Sequence, residues 1–427
     1  MTSHFKLTRR GFMAGTAAIG ALSLAGPSFA ASKTLNVLSH RVHQTSLGEG
    51  DADALKDWKA ANDADVNWTT FDSNPLMDRL FREASLSSTD FSVGYMVDNR
   101  PTSEIAKLFE PLGPWLEKDG IEEFDDIAPG LVEGMTVDGN LIGIPVRTAT
   151  QALFYNEALL EEAGISAPPT TLEELVEQAQ KLTFKSQDGT DVTGMILASD
   201  LAVFPVMFAR AYGGDFINNE FQLLPDQAAM EKALTTLAGM FEGGSLPRSY
   251  ATTKNDDQVT WIQQGRAAFT VLPFARAAQL NNAEQSKYPG KIKAIGFPAS
   301  ADSSVPMSSV VEAWGMVIPA NATDKELAWS FIKEVSSKKN TLIMALNGNG
   351  PARVSTFSEA QLVEQNPLAE VEAEVLANAR GAFPPFPEAA RAQALFLEEV
   401  QLAVLGRKSP AEAVEAIVNR VGPLLPA

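Results

Sequence analysis

Two histidines three residues apart, His40 and His43, open the list of side chains that could do chemistry; the chain's other histidine is His4. A pair at that spacing can share a metal ion, but a site needs further ligands, and there is no cysteine anywhere in the chain to complete one. The same absence removes thiol catalysis, disulfides and thioether-linked lipid anchors. Adjacent acids such as Glu122-Glu123 and Asp125-Asp126 have the residue types of a glycosidase pair. In a chain with 53 acids against 34 Lys and Arg, such pairs read more simply as solvated faces. No HExxH, GxSxG, phosphate-binding loop or GxGxxG occurs, and Gly348-Asn349-Gly350-Pro351 ends in a proline that opens no phosphate cradle. No catalytic set, cofactor or metal is expected.

The elements that must position any site alternate in type. The short apolar segment Leu35–Leu38 precedes a helix with Ala54, Leu55, Trp58 and Ala61 on one face. Val66–Phe71 has strand composition, Asn74-Pro75 reads as the start of a helix carrying Leu76, Leu80, Phe81 and Ala84, and Phe91–Met96 is a third strand. That rhythm predicts a parallel, helix-covered sheet. Thr171 with Glu174, and Thr323 with Glu326, have the spacing of a capping box, and Ser409-Pro410-Ala411-Glu412 repeats it before a C-terminal helix. Strands are expected at Gly194–Leu197, Ala267–Leu272 and Trp314–Ile318, giving an α/β chain throughout. Trp58, Trp68, Trp115, Trp261 and Trp329 each fall on an apolar face and are expected in the core.

The 427 residues are 45% hydrophobic and 20% charged, an ordinary globular composition. A formal charge of −19 disfavours phosphate backbones and anionic lipid surfaces, so nucleic-acid binding is not expected. Residues 1–30 carry Lys6, Arg9 and Arg10 and no acid, then a short Ala/Gly-rich apolar run, Gly26-Pro27, and the small-x-small pattern Ser28-Phe29-Ala30. The run is too short to anchor the chain in a bilayer. Thr8-Arg9-Arg10-Gly11-Phe12-Met13 has the form of a twin-arginine export signal. Cleavage near Ala30 would take away three positive charges and leave −22. The expectation is an exported, periplasmic protein with no stable membrane insertion.

Four stretches, in order, resemble one family. The first runs Asp138-Gly139, Ile142-Gly143-Ile144-Pro145, Leu153-Phe154-Tyr155-Asn156, Gly164 and Pro168-Pro169-Thr170; the second is Ala211-Tyr212-Gly213-Gly214-Asp215. The third is Gln264-Gly265-Arg266-Ala267-Ala268-Phe269, and the fourth runs from Glu312-Ala313-Trp314-Gly315 to Gly350-Pro351-Ala352-Arg353. Leu405 to Pro410 is similar to the start of the closing helix. This pattern resembles the family 1 extracellular solute-binding proteins, the carbohydrate-type receptors of ABC importers related to maltose-binding protein.

The resemblance implies a two-lobed periplasmic-binding-protein fold (type II), its lobes joined by three crossings near Arg147–Ala152, Val310–Trp314 and Arg380–Pro384. The lobes would comprise 31–149 with 315–378, and 150–314 with 379–427. A ligand would lie in the cleft between them, and hinge closure would hold it for a membrane permease. The first-lobe strands would aim His40, Arg41 and His43, then Ser73 and Asn74, then Tyr95, Asp98, Asn99 and Arg100 at the cleft. Asp98 would accept sugar hydroxyls or cap a helix; Trp314 would stack on a pyranose face or pack between the lobes. Gly213 belongs to the second motif. Phe274 stands where relatives often carry a stacking aromatic, and Arg353 either reaches the cleft or ties down its loop.

Arg41, Arg100, Arg147, Arg353 and Arg380 with His40 and His43 make the expected cleft basic in an acidic protein. That enrichment suits a uronate or a sulfonated or phosphorylated glycoside, unless each arginine pairs with a nearby acid. A neutral sugar, a polyol or an organic anion remains open as ligand, whereas the basic cleft residues argue against a polyamine; a periplasmic glycoside hydrolase is the more distant reading. The protein is expected to act as a monomer.

Overall fold

The computed structural model describes residues 33–50 and 53–426, so the export signal lies outside the described residues. Its strands, in chain order, are β1 (Lys33–His40), β2 (Ala64–Phe71), β3 (Phe91–Val97), β4 (Thr136–Val137), β5 (Asn140–Leu141) and β6 (Ile144–Asn156). They continue with β7 (Phe184–Lys185), β8 (Asp191–Ile196), β9 (Ala267–Pro273), β10 (Ile292–Ile295), β11 (Ser309–Val317) and β12 (Ala379–Arg380). All except the β4–β5 hairpin form one sheet in the order β2-β1-β3-β11-β6-β9-β8-β7, with β10 on β6 and β12 on β11.

The first three strands are parallel, as the strand–helix alternation predicts. The sheet then turns mixed, because β11 is antiparallel to both β3 and β6, and β6 is antiparallel to β9. β6 is unusually long, with 13 residues. Ile144 and Val146 at its start pack in one apolar core with Leu35, Tyr95, Met316 and Phe331, whereas Leu153 near its end packs in a second with Met195, Phe208, Phe269 and Phe396. β11 divides likewise: Val310 joins the second core, and Val311 onward the first. The chain therefore folds as two α/β lobes on a shared ribbon of two antiparallel strands.

Several boundaries differ from those expected. The helix after β2 runs Ser73–Ala84 with Asp72 at its N-cap, so Pro75 sits inside its first turn rather than opening it. Asp324, not Thr323, caps helix Lys325–Val335, because its carboxylate accepts from the Leu327 amide at 3.1 Å. Ser409 and Glu412 close the expected box reciprocally. Thr171 caps its helix through the Glu174 amide, while the Glu174 carboxylate reaches Thr170 instead. Trp261 is half-buried outside the core clusters, with the Arg266 guanidinium 4.0 Å over its ring.

Candidate interlobe site

A cavity of about 640 Å³ lies where the lobes face each other. Its floor is the ribbon, through Ala149 and Gln151 of β6 and Glu312 of β11; alternate residues on a strand share a face, so these project together. The first lobe adds Asp98 and Asn99 from the turn after β3, and Glu133 from helix Pro129–Gly134. The second adds Asn219, Phe221, Asn255 and the crossing segment 380–385, including Arg380 and Phe383. Polar groups thus converge from both sides beside two aromatic rings.

Asp98 holds its turn against β11: its amide donates to the Ala313 carbonyl at 2.9 Å and its Oδ2 accepts from the Ala313 amide at 3.1 Å. Burial, then the nearby Glu312 carboxylate, pushes its pKa up to about 8. At neutral pH it keeps a proton and offers one donor as well as acceptor capacity. Across the cavity, Arg380 is half-exposed, and its Nη2 donates to Asp215 at 2.6 Å. Asp215 is 2% exposed and also accepts from Arg210 Nε at 3.0 Å and from the Phe216 amide at 2.9 Å. Arg210 in turn donates to the carbonyls of Gly381 at 2.7 Å and Ala382 at 3.0 Å. Two arginines and one buried carboxylate therefore fix the cavity wall from behind; burial pulls the Arg210 pKa down to about 10, and Asp215 opposes that.

Farther along the ribbon, His40, His43, Tyr95, Arg147 and Trp314 gather. His40 caps helix Arg41–Ser46 through the Val42 amide and lies 3.9 Å from the Asp72 carboxylate. His43 is 2% exposed, stacks on Tyr95 at 4.4 Å and meets the Trp314 ring edge-on at 5.0 Å. Burial, then Arg147, holds the His43 pKa well below the usual histidine range, so this imidazole is neutral. Trp314 is 2% exposed in the first-lobe core and donates its indole N–H to Glu312 at 3.0 Å. Its ring packs against the histidines and is not open to the cavity.

The structure places the remaining candidates as follows. Arg353 lies away from the cleft, 1% exposed, donating to the carbonyls of Ser336, Glu123 and Glu122 and to Asp126; it ties loops together. Phe274 is buried beside Phe154 in a third apolar cluster and offers no platform to the cavity. Gly213 ends helix Val203–Ala211 with φ +85°, a turn conformation that glycine adopts without strain. Arg41 and Ser73 are exposed at helix starts, and Arg100 is half-buried beyond Asn99. Glu312, Phe221 and Phe383 were missed by the sequence reading. Glu312 had a signal, since it stands two residues before Trp314 on a strand and shares its face; Phe383 lies at a crossing in the Phe383-Pro384-Pro385 run. Among the described residues no group of three His, Asp or Glu is placed to hold a metal ion, and no helix is long and apolar enough to cross a membrane.

Two lobes on a strand ribbon, with a cleft lined from both, define a binding clamp. Residues 44–342 match the model of the bacterial extracellular solute-binding protein family, and the chain belongs to that family. Its sequence is 24% identical over 330 residues to the mannitol-binding protein of Pseudomonas aeruginosa, covering 74% of this chain and 72% of that one. It is also 24% identical over 293 residues to a probable amino-acid ABC transporter periplasmic-binding protein of Sinorhizobium fredii; that match covers 66% of this chain and spans 64% of the relative's length. The fold is similar to that of the sugar-binding protein MalE from Xanthomonas citri, with a TM-score of 0.78, 20% identity, and coverage of 92% of this chain and 97% of that one.

Proposed function

We propose that the protein is the capture subunit of an ABC importer, closing on a small polyhydroxylated solute, a sugar or polyol, and presenting it to a membrane permease. The observation that carries this reading is the 640 Å³ cavity whose walls come from both lobes. A solute touching Asp98, Asn99 and Glu312 on one side and Asn219, Asn255 and Arg380 on the other stabilises the closed arrangement because each lobe alone supplies only half the partners. Carboxyl and amide groups serve as acceptors and donors for hydroxyls, and leaving them unpaired in a closed cleft is costly, which selects against apolar solutes. Phe221 and Phe383 give the C–H face of a ring or chain an apolar partner. Mannitol and sugars in the names of similar proteins fit the same chemistry. The twin-arginine segment supports export to the periplasm, and the ligand leaves chemically unchanged.

The test is a thermal-shift screen of sugars and polyols including mannitol, followed by small-angle scattering with any solute that responds. Saturable stabilisation is expected, about 2.7 kcal/mol at 100 times Kd, together with a smaller radius of gyration. If none of the solutes raises the melting temperature, or a saturating solute leaves the scattering profile unchanged, the capture reading fails.

A further inference from the structure

Along β6, Gln151 and Ala149 line the cavity and Arg147 follows on the same strand face, next to its edge; on β11 the register sets Glu312 opposite Ala149 and Trp314 opposite Arg147. The cavity touches Gln151, Ala149 and Glu312, and Arg147, partly buried, borders it one alternate position further along β6. It is unlike the other enclosed arginines. Arg210 is paired with Asp215, and Arg353 with Asp126 and three carbonyls. The Arg147 side chain has no such partner among the described residues, and its Nε is buried without a hydrogen bond. Burial lowers its pKa first; Glu312 opposes that, and Arg276 of the other lobe lowers it further. Glu312, the acid whose charge bears on it, is itself engaged by the Trp314 indole.

The surroundings match an incoming group with several oxygens. Tyr95 is 1% exposed and His43 2%, and both the Tyr95 hydroxyl and His43 Nε2 are buried without hydrogen-bond partners. A partly buried guanidinium with an unpartnered Nε has donors to spare, and an oxyanion is the partner that satisfies it best, through two parallel N–H···O bonds.

We propose that the Arg147 end of the cleft receives an anionic oxygen group of the captured solute, a carboxylate, phosphate or sulfonate, so that the ligand is an acidic sugar or acidic polyol. This rests on the capture reading above. Arg147 holds the anion, the Tyr95 hydroxyl donates beside it, and Arg276 adds a second positive charge from the opposite lobe. The remaining hydroxyls of the solute extend over Glu312 toward Asp98, which carries a proton at neutral pH and does not repel the anion.

The experiment compares solutes matched in carbon skeleton: gluconate with sorbitol, and glucuronate and glucose 6-phosphate with glucose, by calorimetric titration of the full-length mature protein. At least one acid is expected to bind ten-fold or more tighter than its neutral counterpart, the margin typical of a hydrogen-bonded charge. The preference should collapse toward unity in Arg147→Gln, be partly retained in Arg147→Lys, and weaken with added salt. Arg276→Gln, on the other lobe, should reduce it by a smaller factor, and guards against a folding defect in the Arg147 variants. Acid and neutral members binding alike, or a preference that survives Arg147→Gln, overturns the proposal. Binding of the neutral members alone overturns it while leaving the capture reading intact, and silence from all five solutes counts against both. The relative strength of the carboxylate and phosphate arms identifies which anion the site is built for.

Discussion

Removing the carboxylate of Asp215 should loosen the cavity wall from behind. Asp215→Ala leaves Arg210, 7% exposed, as a buried cation without its counter-ion, and frees Arg380 from a 2.6 Å bond. Breaking a buried pair by deleting one partner costs about 3–5 kcal/mol. A folding unit of 150–250 residues shifts by about 2–4 °C for each kcal/mol, so a fall of about 6–20 °C is expected in the melting temperature. The damage should be local at first. Arg210 donates to the carbonyls of Arg380, Gly381 and Ala382, so amides in the segment 379–385 should exchange faster with deuterium than in the wild type. Adding Arg210→Met removes the stranded charge and should recover part of the lost stability, giving a coupling energy well above zero in a double-mutant cycle. If Asp215→Ala costs less than about 1 kcal/mol, the range of an exposed pair, or if exchange in 379–385 does not change, the wall is held by packing and the argument from the buried ions is wrong.

Other outcomes can be checked with the same instruments. Asp98 keeps its proton in the folded state up to about pH 8, whereas the unfolded chain releases it near the ordinary aspartate value. The folded state therefore binds more protons across that window, and stability should fall as pH rises from about 4 to about 8; buried Glu372, pushed up to about 8 by desolvation, adds to the same slope. Melting temperatures of Asp98→Asn and Glu372→Gln should be flatter over this range, and variants that keep the full wild-type slope would remove the assignment. A Cβ on Gly194 of β8 would lie 1.9 Å from the backbone oxygen of Ala179, so Gly194→Ala should destabilise the second lobe by about 1–3 kcal/mol or more in urea unfolding. An unchanged midpoint would mean that helix Leu172–Lys181 rides on the strand more loosely than described.

What the sequence revealed, and what it hid, divides by range. The first three strands and the Ser409 cap were legible because period and capping are local, decided within a few residues. Local signals also misplaced the helix starts at Pro75 and Thr323: the first helix begins two residues earlier at Ser73, with no side-chain cap at Asp72, and in the second Asp324 takes the capping role one residue on. Arg353 and Asp215 could not be read that way. The first takes its partners from residues some 230 positions earlier, and the second joins Arg380, 165 positions away. Trp314 was expected near a crossing; it lies in the first-lobe core, and whether its ring faces the cleft depended on how His43 and Tyr95 pack, which no spacing encodes.

The ribbon of β6 and β11 bears on how such a clamp reopens. An unstructured tether would let the lobes diffuse freely, and release would depend on chance separation. Here the tether is a hydrogen-bonded two-strand ladder running from Ile144–Met316 to Thr150–Val311 and continuing into both cores. Two-stranded ribbons are the sheets in which strand twist is largest. Rotation of one lobe against the other would therefore be taken up as added twist along the strip, with its hydrogen bonds kept.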